Sequence, residues 1–155
     1  MIQRIQSVYL FLTTLLSLLF LRGSFLSFAD KSGSVIKFTL TGIYKITGEQ
    51  SSELIKTVLP ISFIIILIPV ICLVTIFLFK KRKIQKLLAI ILIILVTGFI
   101  IALVFYSWFV ISEYKTGIVP GIRMAIPALM LVSSVLTYRG IKKDDNLIKS
   151  YDRLR

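Results

Sequence analysis

The sequence predicts an all-α membrane protein, four transmembrane helices in an antiparallel bundle, and three observations carry that prediction. The 155 residues are 57% hydrophobic with a mean hydropathy of +0.94, above the roughly 45–50% apolar share of a soluble domain. From Thr57 to Tyr138 almost every residue is apolar, and the chief interruption is one knot of charge, KKRKIQK, at Lys80 to Lys86. Two blocks, each long enough to cross a ~30 Å hydrocarbon layer, therefore meet at a short basic loop. Further apolar stretches at Ile5 to Leu21 and Ile122 to Tyr138 bring the spans to four.

Charge and composition then exclude several function classes. The net charge is +12, from 19 Lys and Arg against 7 Asp and Glu. In a soluble chain that excess would point to nucleic acid. Here the cations flank apolar spans, where they act as topology signals and contacts for anionic lipids at the cytoplasmic leaflet, so no nucleic-acid partner is expected. The chain has no histidine and one cysteine, Cys72. It therefore lacks the commonest metal ligand and neutral-pH acid–base group, and it can form no internal disulfide.

Span one, Ile5 to Leu21, gives roughly 25 Å of helix. Arg4 and Arg22 flank it and can snorkel to the two interfaces to cover the shortfall. The segment resembles a secretory signal, with Arg4, an apolar core and small residues at Ser27 and Ala29. Arg22 directly after the core and the bulky Phe25 and Phe28 oppose cleavage, so it reads as a signal anchor. Its Thr13, Thr14 and Ser17 belong on a face turned toward other helices.

The outer loop, residues 23–53, changes composition to Ser, Thr, Gly and Lys. Val35 to Thr41 alternates, with Ile36, Phe38 and Leu40 on one side, as in a half-buried strand. Phe25 to Phe28 is placed to pair with it, and after Gly42 the pattern shifts register through a bulge or into a third strand. A β-hairpin or a small three-stranded antiparallel sheet is expected, resting on the helix ends because a lone hairpin is marginal in water. Ser51 or Ser52 is a candidate cap for the next helix.

Span two is placed at about 54–79. Pro60 lies near its start, and Pro69 lies mid-membrane, where it should kink the helix. Lys80, Lys81, Arg82, Lys83 and Lys86 then form the basic loop. Span three, about 87–112, carries Gly98 and Ala102 as a small-xxx-small pair for helix packing. Tyr106, Trp108 and Tyr114 gather at its far end as an interfacial belt. Span four, about 122–138, has Pro127 one to two turns inside, and Arg123 is placed to pair with Glu113 across the short connection. The tail, 139–155, is an amphipathic basic helix with Ile141, Leu147, Ile148, Tyr151 and Leu154 near one stripe and Asp145 four before Lys149. It either lies on the inner leaflet or docks against a partner.

With both termini inside, twelve of the 19 basic residues fall on the cytoplasmic side and seven outside. The short inner loop holds five cations and no acid, which fixes that orientation. No carboxylate lies within a span, no HExxH is present, and the intramembrane hydroxyls are ordinary packing residues, so no enzyme activity and no cofactor or metal is expected. The expected function is that of a non-catalytic accessory or scaffold subunit in a bacterial inner-membrane complex of secretion, translocation or envelope assembly machinery, with other membrane subunits as partners. The alternative is a small transporter or oligomeric channel hinged at Pro69 and Pro127.

The opening MIQRIQSVYLFL and the closing KDDNLIKSYDRLR resemble the boundaries of an uncharacterised bacterial family of small four-span inner-membrane proteins, a domain of unknown function. That resemblance implies an inner-membrane location and brings no activity, cofactor or catalytic residue with it. The outline is also similar in shape to claudin-like bundles, although the cysteine pair and tryptophan signature of their first loop are missing here.

Overall fold

Helix α1 (Ile5–Leu21) forms because no Gly or Pro interrupts 17 mostly straight-chain apolar residues. It stops where Gly23 adopts φ +100°, a left-handed residue past the helix end that only glycine takes without strain. The remaining elements are strands β1 (Leu26–Ala29), β2 (Val35–Phe38), β3 (Ile43–Thr47) and β4 (Ser51–Lys56), helices α2 (Leu59–Phe77) and α3 (Arg82–Tyr114), strand β5 (Gly117–Val119), a 3-10 turn (Ile122–Ala125) and helix α4 (Ile126–Arg153). The computed structural model describes residues 5–29, 35–47, 51–78 and 81–153.

Three segments are long and apolar enough to cross a membrane: Leu59–Phe77, Lys83–Tyr114 and Ile122–Asn146. Helix α1 is apolar but shorter. Each helix packs on two others, α1 on α2 and α4, and α3 on the same pair. The buried positions repeat with spacings of three and four. They are Gln6, Leu10, Thr13, Ser17 and Phe20 in α1, and Ile61, Ile65, Ile68, Cys72 and Thr75 in α2. In α3 they are Gln85, Ala89, Leu92, Val96, Phe99 and Leu103, and in α4 Pro127, Met130, Ser134, Thr137 and Ile141. That spacing puts one stripe of each helix toward the interior, where the helices meet.

The five strands form one antiparallel sheet in the order β4-β3-β2-β1-β5. Because β1 to β4 join α1 to α2 while β5 lies between α3 and α4, both connections meet at one end of the bundle. Phe28 opposes Ile36, Leu26 opposes Phe38, and Phe38 opposes Ile43. Phe28, Ile36, Phe38 and Ile43 are buried while Lys37 is exposed, as the alternation from Val35 predicts. The third strand begins after Gly42, and the β3–β4 pairing is irregular between Ile43 and Tyr44.

Several boundaries differ from expectation for identifiable reasons. Among the described residues the sheet has five strands rather than two or three, because Ser51–Lys56, whose end hydropathy merges with the next apolar stretch, pairs with β3, and three residues of the second connection add to β1. Helix α2 therefore starts at Leu59, where Pro60 opens its first turn, and Ser51 and Ser52 are strand residues rather than caps. Helix α3 starts at Arg82 and extends through Tyr114, about 50 Å at the usual helical rise. The expected seven-residue basic loop thus shrinks, and Arg82, Lys83 and Lys86 become the first turns of a helix. Pro127 is the second residue of α4, where the lost N–H costs little, and it lies five residues past the start of the apolar segment Ile122–Asn146. The tail is no separate helix, since α4 runs unbroken through Gly140 to Arg153. Pro69 stays inside a continuous α2 on its buried face, where it removes the donor that Ile65 O would receive.

Candidate functional site

The buried hydroxyls on the helices close on their own backbones, whereas Thr116 Oγ1, buried between α3 and β5, has no partner among the described residues. Thr13 Oγ1 donates to Tyr9 O at 2.8 Å, Thr14 Oγ1 to Leu10 O at 2.9 Å and Ser17 Oγ to Thr14 O at 2.8 Å. Thr75, Ser133, Ser134 and Thr137 do the same three or four residues back along α2 and α4, as does the exposed Thr97 on α3. Such back-bonding hides a small polar group at a helix contact. Among the described residues no group of three or more His, Cys, Asp or Glu side chains comes together.

At the end away from the sheet, the chain between α2 and α3 is short and held from inside. Gln85 is buried and its Nε2 donates to Thr75 O at 3.3 Å, joining the start of α3 to the end of α2. Gln6, also buried, leaves its Oε1 without a partner among the described residues. Gly140 lets α4 approach α1 at this end, since a Cβ there would lie 3.3 Å from Gln6 Cβ. Lys81, Lys83, Lys142 and Lys143 are exposed around it, and Lys86 is half-buried.

The other sequence candidates separate. Arg4, Lys80 and Leu154 lie outside the described residues, and only the backbone is described at Arg82, Leu147, Ile148, Lys149 and Tyr151. Ile141, expected on a docking stripe, is 2% exposed and belongs to the bundle seam. Gly98 is no point of close approach within the chain, for a Cβ there would meet no atom within 4 Å. Ala102 packs at the edge of the core.

The sheet end is built from rings. Phe20 of α1 stacks on Phe25 with centroids 4.6 Å apart and meets Phe99 of α3 edge-on at 5.4 Å. Phe25 continues to Phe38 of β2 at 5.7 Å, and Phe38 to Tyr106 of α3 at 6.1 Å. Each such pair contributes roughly 0.5–1.5 kcal/mol beyond its buried area. Lys56 Nζ of β4 lies 4.5 Å from the centre of the Phe109 ring. Ser62 Oγ donates to Leu40 O, tying the β2–β3 turn to the start of α2.

Beside this ring chain lies a groove of about 380 Å³ between α3, the sheet and the start of α4, lined by Phe20, Phe25, Leu103, Val104, Trp108 and Pro127 among others. That volume is within the ~300–1,000 Å³ of ordinary small-molecule sites. The charged residue in its wall is Arg123, from the 3-10 turn. Arg123 Nη1 donates to Ser24 O at 3.1 Å rather than pairing with Glu113, and the guanidinium lies against Gly23, where any Cβ would clash with it. A smaller recess of about 120 Å³, lined by Ser24, Ser27, Pro120 and Gly121, shares Arg123 with the groove. Sequence reasoning noted Arg123 as an anchor and Trp108 as an interfacial ring. Their convergence was invisible, because it depends on β5 pairing with β1 across about 90 residues of chain.

No curated protein and no solved structure matches the chain. Over residues 2–154, however, it matches the family described as a domain of unknown function (DUF4293), and the chain belongs to that family.

Proposed function

We propose that the chain is a non-catalytic accessory or scaffold subunit of a bacterial inner-membrane protein complex. In this reading all four helices cross the membrane, with both termini in the cytoplasm and the sheet outside. Lys81, Arg82, Lys83 and Lys86 support the orientation. Arg82, Lys83 and Lys86 occupy the first turns of α3, where the helix dipole disfavours a cation by about 0.3–1 kcal/mol each. A cluster retained against that field fits retention on the cytoplasmic side and contact with anionic headgroups.

The observation that carries the scaffold reading is the sheet. Five strands are far more structure than two helix connections require, and their order leaves β4 with a neighbour on one side only among the described residues. An open strand edge is a surface on which another chain can add a strand. Interior hydroxyls that bond their own helices, rather than converging, further favour a binding role over a chemical one.

Two measurements test this. A reporter fused after Lys45 should read as extracytoplasmic and one fused at Arg82 as cytoplasmic; the reverse pattern discards the orientation. Purification of tagged protein in mild detergent should recover a defined protein partner in stoichiometric amount, lost when Leu54 of β4 is replaced by proline. Recovery of the chain alone, under conditions that preserve other membrane complexes, overturns the scaffold reading.

A further inference from the structure

We propose that the groove beside Phe25 and Trp108 holds one acyl chain of an anionic phospholipid, with its phosphate on the Arg123 guanidinium. The inference rests on the bundle spanning a membrane, and is independent of any protein partner. Among the described residues, no Asp or Glu lines either recess, so no carboxylate among them offsets the charge of Arg123 where the groove opens. The groove wall is otherwise apolar, and the hydroxyl of Ser107 in it already donates to Leu103 O at 2.7 Å. A ligand that fits must therefore be long, apolar and single-headed, with negative charge at one end.

Position selects a phospholipid as that ligand. Trp108 in the groove wall is 71% exposed, and an outward-facing indole at a helix end marks the level of the headgroups. Arg123 lines the same groove and also the smaller recess with Ser24, Ser27 and the Gly121 turn. An acyl chain in the first and a phosphoglycerol head over the second place the phosphate at the guanidinium. One of its five N–H donors is fixed on Ser24 O, which orients the planar fork and leaves the others for phosphate oxygens.

The chain has a single tryptophan, and it lines the groove, so it reports occupancy directly. Protein is reconstituted in phosphatidylcholine vesicles containing a minor fraction of either phosphatidylglycerol or phosphatidylcholine brominated in the acyl chains, and Trp108 quenching is followed. Half-maximal quenching should need roughly fivefold less brominated phosphatidylglycerol, the ratio set by ~1 kcal/mol for a rim-exposed ion contact. Arg123→Gln should bring the two curves together, Arg123→Lys should retain part of the difference, and Ala128→Phe, which fills the groove, should weaken quenching by both lipids. Equal curves for the wild type, or a difference that survives Arg123→Gln, overturn the proposal. Protein that fails to float with the vesicles instead removes the membrane reading beneath it.

Discussion

Two seams of the bundle are built from different materials. Along α1 and α4 the buried positions include Thr13, Thr14, Ser17, Ser133, Ser134 and Thr137, with Gly140 against Gln6. Along α2 and α3 they are mostly large and apolar, among them Ile61, Ile65, Ile68, Leu92, Val96 and Phe99. Both seams follow the same three-and-four spacing, so geometry does not separate them. Small hydroxyl residues bring backbones close, and close approach replaces the hydrophobic drive that lipid removes. Large aliphatic and aromatic side chains hold instead by interdigitation.

The contrast breaks most readily at its tightest point. Gly140→Leu places a side chain where even a Cβ stands 3.3 Å from Gln6 Cβ. It should separate α1 from α4 at a loss of about 3 kcal/mol, read as a large drop in the detergent unfolding midpoint. Phe99→Ala on the aliphatic seam should lose less, about 2 kcal/mol, although the same change in a soluble core costs ~3–5 kcal/mol. The transfer part of that figure falls away when the alternative surroundings are lipid, and the vacated contacts with Phe20 remain. A loss above that of Gly140→Leu would show that the aliphatic seam dominates. Gly98→Ala sharpens the comparison at its small end. With nothing within 4 Å of its Cβ, it should gain about 0.5–1 kcal/mol from helix propensity, whereas a loss would reveal a close neighbour from another copy or subunit.

Legibility followed the same division. Thr13, Thr14 and Ser17 stood out in the sequence because a hydroxyl on an apolar helix has reason to avoid lipid, and all three are buried. The inward stripe of α3 has the same regularity, yet Ile90, Ile94 and Ile101 on its exposed face are as apolar as Leu92 and Val96 inside. Gln85 and Thr75 are the buried polar residues of these two helices, and in the sequence Gln85 falls within the basic KKRKIQK run. Strand β2 was readable since one of its faces meets water. Strand β4 was not, because its apolar end runs into span two. The three residues of β5 are too few for any period and exist as a strand through their partner β1. Arg123 was assigned to Glu113, its neighbour across the short connection, when it bonds Ser24 O 99 positions away.

What the sequence determined alone is what local chemistry enforces: four apolar helical stretches, a basic interruption between the second and third, and an alternating segment after the first. Helix lengths, the five-strand cap and the groove at Arg123 came from the tertiary structure. Lipid-compatible helices carry no contrast between inside and outside, so their partners are chosen by shape and close approach. Those quantities exist only once distant segments share one end of the bundle.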